Sequence, residues 1–149
     1  MKLQDSVELV LAQKGGAVHS VSGEATVYEA LVIMSEKRIG ALLVLDGSEL
    51  VGIFSERDYA RKVILVGRSS KDMKVREIMS SPVVTVEPST TIDECMQHMT
   101  GRRCRHLPVI ADGEIVGVVS LGDLVHWIIS KQKRTIDDLE DYISGEYPG

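Results

Sequence analysis

The feature that most constrains this chain is that it aligns with itself. Shifted by 65 positions, segment 18–64 falls on segment 83–129 without a gap, and 14 of the 47 facing pairs are identical. The matches include Val18/Val83, Thr26/Thr91, Glu29/Glu94, Met34/Met99, Gly52/Gly117, Ser55/Ser120 and Asp58/Asp123. Two copies are too few for a solenoid, which normally stacks three or more units. A duplicated unit closed by pseudo-two-fold symmetry is the expectation instead.

Each copy reads alike. A short β-type run, Val18–Val21 or Val83–Val86, comes first. Thr26-x-x-Glu29 and Thr91-x-x-Glu94 then fit capping boxes. Behind them lie apolar residues at helical spacing: Val27, Ala30, Leu31 and Met34, then Ile92, Cys95, Met96 and Met99. Two apolar runs follow, Ala41–Leu45 and Leu50–Phe54, with the turn signal Asp46-Gly47 between them. The second copy has Leu107–Ile110, Asp112-Gly113 and Ile115–Val119. A second helix starts at Ser55 or Ser120 and runs to about Val66 or Ile129. The predicted order per copy is β-α-β-β-α, an α+β unit. Copy one is expected over 6–70 and copy two over 75–131, within a single module spanning 1–149.

Outside the repeat, Ser6–Lys14 reads as a short amphipathic stretch, and Val75–Met79 holds the equivalent place before copy two. Arg68–Lys71 reads as a polar linker. Thr135-x-x-Asp138 reads as the cap of a separate final helix over 135–144, suited to a partner or a dimer contact. Ser144–Gly149 is expected to fray.

Composition narrows the function. A formal net charge of −5 argues against nucleic acid or an anionic membrane as partner. At 4% aromatic residues, a base-stacking platform is not expected. No apolar run is long enough for a membrane span, and the start MKLQDSVELV lacks signal-peptide character. Two cysteines, Cys95 and Cys104, suit a reducing cytoplasm.

The repeat ends in G-h-h-S-x-x-D (h apolar), as Gly52-Ile53-Phe54-Ser55-Glu56-Arg57-Asp58 and Gly117-Val118-Val119-Ser120-Leu121-Gly122-Asp123. This motif in a β-α-β-β-α unit resembles the CBS domain, and two in tandem resemble a CBS pair, or Bateman module. The run Ser55–Val63 followed by Val75–Met79 looks like small stand-alone bacterial two-CBS proteins. The resemblance implies repeats packed sheet to sheet about a pseudo-two-fold axis. It also implies paired clefts for AMP, ADP or ATP, or for NAD(H) or S-adenosylmethionine, and a homodimer that signals by conformational change to a regulated protein. A ligand-free dimerisation scaffold is the alternative. No catalytic residue or catalytic cofactor is expected, since no Walker loop, G-x-G-x-x-G or nucleophile elbow is present.

The candidate sites follow. Asp58 and Asp123 can each accept two hydrogen bonds from a ribose diol. Ser55 and Ser120 sit at helix starts, where free backbone N–H groups favour an anion. Ile53 and Val118 can offer an apolar wall and backbone groups to a base. Ser-x-x-Asp at such a junction is equally an N-cap with an acidic first turn, and the two roles can coexist. By the resemblance, the Asp123 cleft uses His19, Ile39, Gly40 and Ala41 beside Val118 and Ser120. The Asp58 cleft uses Val84, Thr85, Cys104, Arg105 and His106 beside Ile53 and Ser55. Arg102, Arg103, Arg105 and His106 form one basic group, and Arg57, Arg61 and Lys62 a second. These are solvated surface or phosphate partners, with Arg105 the leading phosphate candidate. Cys95, His98, Cys104 and His106 match no zinc spacing, so no metal is expected.

Overall fold

The computed structural model describes residues 3–144. The described residues divide into two compact units, one of residues 17–85 and one of residues 3–16 with 86–144.

The first unit holds β1 (Ser20–Ser22), α2 (Val27–Lys37), β2 (Ala41–Asp46), β3 (Glu49–Ser55), α3 (Glu56–Tyr59) and α4 (Val75–Ile78). β1 pairs parallel to β2, and β2 pairs antiparallel to β3. The two-residue turn of the β2–β3 hairpin places Gly47 at φ +63°, a conformation that glycine adopts at no steric cost. Thr26 caps α2 as its sequence predicts, its hydroxyl accepting from the Glu29 N–H at 3.1 Å. Val27, Ala30 and Met34 turn the buried face of α2 onto Leu42, Val44 and Phe54 of the sheet. After Tyr59 the helix widens into one π turn, Ala60–Ile64.

The second unit holds α1 (Val7–Lys14), α5 (Ile92–Arg102), β4 (His106–Ala111), β5 (Glu114–Ser120) and α6 (Leu121–Ser144). Thr91 caps α5 through a full capping box with Glu94. Asp112 and Gly113 both take positive φ in the β4–β5 turn, as a type I′ hairpin requires. The bulge between Val44 and Leu45 recurs between Val109 and Ile110.

Three expectations need correction. The strand at Val83–Val86 shrinks to one parallel bridge, Val86 to Val109. In the first unit the Leu43 N–H donates to the His19 carbonyl, but Pro108 holds the matching place and has no N–H to give. The separate helix at 135–144 does not exist, because α6 is continuous from Leu121 to Ser144. Thr135 is not a cap: its hydroxyl donates back to the Lys131 carbonyl at 3.1 Å. The leading segments are also exchanged between copies. Residues 3–14 belong with copy two, where the Asp5 and Leu3 carbonyls accept from the first N–H groups of α5. The linker and α4 belong with copy one, where Ser70 and Met73 do the same for α2.

This exchange explains two glycines. A Cβ at Gly52 would lie 2.5 Å from the Met79 sulfur, and one at Gly117 would lie 2.8 Å from Leu11. Each glycine lets a leading segment close onto its strand. The tail expected to fray lies, beyond Ser144, outside the described residues.

Candidate functional site

Both Ser-x-x-Asp turns form at a strand-to-helix junction. The backbone stays extended through Ser55, at φ −127° and ψ 165°, and becomes helical at Glu56. The Ser55 hydroxyl accepts from the Asp58 N–H at 3.2 Å, and Asp58 Oδ2 accepts from the Ser55 N–H at 3.1 Å. The second copy repeats this reciprocal pair at 3.1 Å and 2.8 Å between Ser120 and Asp123. The capping role is therefore realised twice. The next donors are engaged too, Glu56 N–H on the Gly40 carbonyl and Leu121 N–H on the Arg105 carbonyl. The free amides expected at these helix starts are thus largely occupied by the protein itself.

The two carboxylates differ beyond the cap. Asp58 is buried. Its Oδ2 also accepts from the Ser55 hydroxyl at 3.1 Å, and its Oδ1 accepts from the Ser80 hydroxyl at 2.9 Å. Lys62, on the π turn, stands 3.3 Å from Oδ1 and donates to the Ile78 carbonyl. Ile53 is closed in the same way, its N–H and carbonyl both bonded to Ser80 at 3.0 Å and 2.8 Å. The expectation that Ile53 offers backbone groups to a base is corrected: strand pairing with Ser80 takes them.

Asp123 is more open, its side chain 25% exposed against 11% for Asp58. The Lys14 ammonium donates to Asp123 Oδ2 at 2.5 Å and to the Val118 carbonyl at 2.8 Å. Asp123 Oδ1 accepts no hydrogen bond among the described residues. Burial pushes the Asp123 carboxyl up, but the Lys14 ammonium and the Ser120 N–H outweigh it and hold it below the ordinary value of 3.8. A single cation thus touches the two groups assigned to ribose and base recognition.

The other candidates fall as follows. Ala41 pairs with Ser55 and His106 with Ser120, each within its own unit. His19, Ile39, Gly40, Val84, Cys104 and Arg57 are half-buried, while Thr85 and Arg105 are exposed. Ile39 and Gly40 line a 420 Å³ hollow with Arg38 and Glu56. Arg102 and Arg103 are exposed at the end of α5, where Arg103 is its left-handed cap at φ +53°. Arg61 is exposed on the π turn. Lys14 and Ser80 were not among the sequence candidates. Asp58 and Lys62 are four residues apart, a readable helical pairing, whereas Lys14 and Asp123 are separated by 109.

The CBS domain family model matches residues 16–65 and again residues 75–130. The chain belongs to the CBS-domain family. A solved CBS-domain protein from Burkholderia ambifaria, named for signal transduction, is 48% identical, with a TM-score of 0.82 over 86% of this chain and 96% of that one. A CBS-domain protein from Agrobacterium tumefaciens is 35% identical, with a TM-score of 0.78 over 82% and 98%. The mitochondrial CBS domain-containing protein CBSX3 of Arabidopsis thaliana is 43% identical over 127 residues, 82% of this chain. The chain spans 62% of that plant protein's length. It is a CBS-domain pair, a type of module that is generally regulatory and typically takes adenine nucleotides. No helix among the described residues is long and apolar enough to cross a membrane.

Proposed function

We propose that this CBS pair is a non-enzymatic sensor of an adenine nucleotide. AMP, ADP or ATP is the first candidate, with NAD(H) and S-adenosylmethionine next. The observation that carries the reading is the open carboxylate of Asp123 beside the Lys14 ammonium. A ribose diol can take Oδ1 directly and displace Lys14 from Oδ2. The freed ammonium then lies near the sugar, where a phosphate is attached. His19, Ile39, Gly40 and Ala41 would complete this cleft from the other repeat. Val84, Thr85, Cys104, Arg105 and His106 would serve a second cleft at Asp58. That second site is the weaker one, because Asp58 is already saturated by Ser55, Ser80 and Lys62.

Binding would bias the arrangement of the repeats, or of two copies of the chain, and a regulated protein would read the change. Two free thiols suit a reducing cytoplasm as its location. Calorimetry against the five ligand types tests the proposal. Asp123→Ala should weaken the best ligand by at least about tenfold, and Asp58→Ala by less. Unchanged affinity in Asp123→Ala would overturn the site. Absence of heat with every ligand would favour the scaffold reading, which the exposed apolar residues of α6 also support.

A further inference from the structure

We infer that the C-terminal half of α6 is an antiparallel pairing surface for a second copy of this chain. The expectation of a homodimer underlies this; what is added is the surface, its direction and its register.

The start of α6 is held by its own unit. Leu124 is buried, and Trp127 donates to Asp5 at 3.0 Å. From Lys131 to Glu140 every residue is exposed. A helical stretch of that length is marginal in water without packing, and Thr135, Ile136, Asp137 and Asp138 are weak helix formers. Something must therefore cover part of it.

The exposed residues say what. Val125, Ile129, Gln132, Ile136 and Leu139 follow one another at steps of four, three, four and three. That is the seam of a coiled coil, with isoleucine at one core position and valine, glutamine and leucine at the other. Ile129, Ile136 and Leu139 are 58%, 54% and 58% exposed. Gln132 and Ile136 also border a 490 Å³ groove with Leu3, Ile92 and Trp127, so the seam has a hollow beside it.

Charge chooses the occupant. Lys133 and Arg134 precede Asp137, Asp138 and Glu140 along the helix. A purely acidic or basic partner would suit one half and repel the other. A second copy running the opposite way matches both. With Ile136 layered on the second copy's Leu139, Lys133 falls beside the second copy's Glu140, and symmetry makes the contact twice. Lys131 is bound to Asp5 and Arg134 lies over the Trp127 ring, so of the three cations in residues 131–140 Lys133 is the one available to a second copy.

Sedimentation equilibrium on the full chain tests this. The wild type should be a dimer, and Ile136→Asp/Leu139→Asp should weaken it at least about tenfold, with any loss of helical circular dichroism confined to the exposed half of α6 and the urea midpoint of the rest of the chain unchanged. Lys133→Glu should also weaken it, and Lys133→Glu/Glu140→Lys should restore it. A monomeric wild type, or a dimer untouched by the two aspartates, would overturn the surface. Failure of the charge exchange to rescue would overturn the antiparallel register. Neither result touches the nucleotide site, which calorimetry tests separately.

Discussion

Replacing Asp58 by alanine should destabilise this protein more than the matching change at Asp123, although both belong to the same motif. Asp58 is 8% exposed and its two oxygens accept from the Ser55 N–H, the Ser55 hydroxyl and the Ser80 hydroxyl. The Ser55 hydroxyl still accepts from the backbone N–H of residue 58 in the alanine variant, so that half of the cap survives. Removing the carboxylate strands the half-buried Ser55 N–H, at about 1–3 kcal/mol for an unsatisfied donor, although the exposed Ser80 hydroxyl can turn to water. Lys62 is 44% exposed, so its ion pair adds under about 1 kcal/mol. The total is about 2–3 kcal/mol, most of it from the stranded donor. Asp123→Ala likewise frees the Ser120 N–H, but at a site 25% exposed, where water can take the carboxylate's place, and it loses an ion pair to a lysine that is 36% exposed, for a total of about 1 kcal/mol. Urea unfolding followed by circular dichroism measures both. Trp127, the single tryptophan, gives a second signal from the unit that holds Asp123. Equal losses in the two variants, or a larger loss at Asp123, would refute the claim that Ser80 and burial make Asp58 a structural acid.

Two other outcomes follow from the titrating groups. Asp123 has a folded-state pKa below its unfolded value, so its stabilisation is complete above the unfolded value of about 3.9 and is lost as pH falls through the folded one. Lys14→Met should flatten the fall in urea midpoint below about pH 4, and identical profiles in the two proteins would exclude the Lys14 contact as its source. Burial, with the Glu94 carboxylate adding, pushes the Cys95 thiol up to about 11, so at about pH 8 a thiol reagent should label half-buried Cys104 well before Cys95. Equal native-state rates would contradict the full burial of Cys95 on α5.

What could be read from the chain alone shares one property: short range. The caps at Thr26 and Thr91 bind three residues ahead, the hairpins turn on two residues, and Ser55-x-x-Asp58 closes on itself. The 65-residue offset then doubled each local signal and pointed to the family. Apolar spacing also reported the buried faces of α2 and α5 correctly, because helical period is a local property.

Contacts across long separations were decided only on folding. Exchange of the leading segments carries Lys14 across 109 positions to Asp123, and α4 carries Ser80 across 22 to Asp58. In sequence the two acids are copies; in the structure one is sealed and the other stays open. The physical reason is that the motif specifies the cap a carboxylate makes with its own helix. Which donors reach its remaining lone pairs depends on which distant segment packs over it, and no local pattern records that.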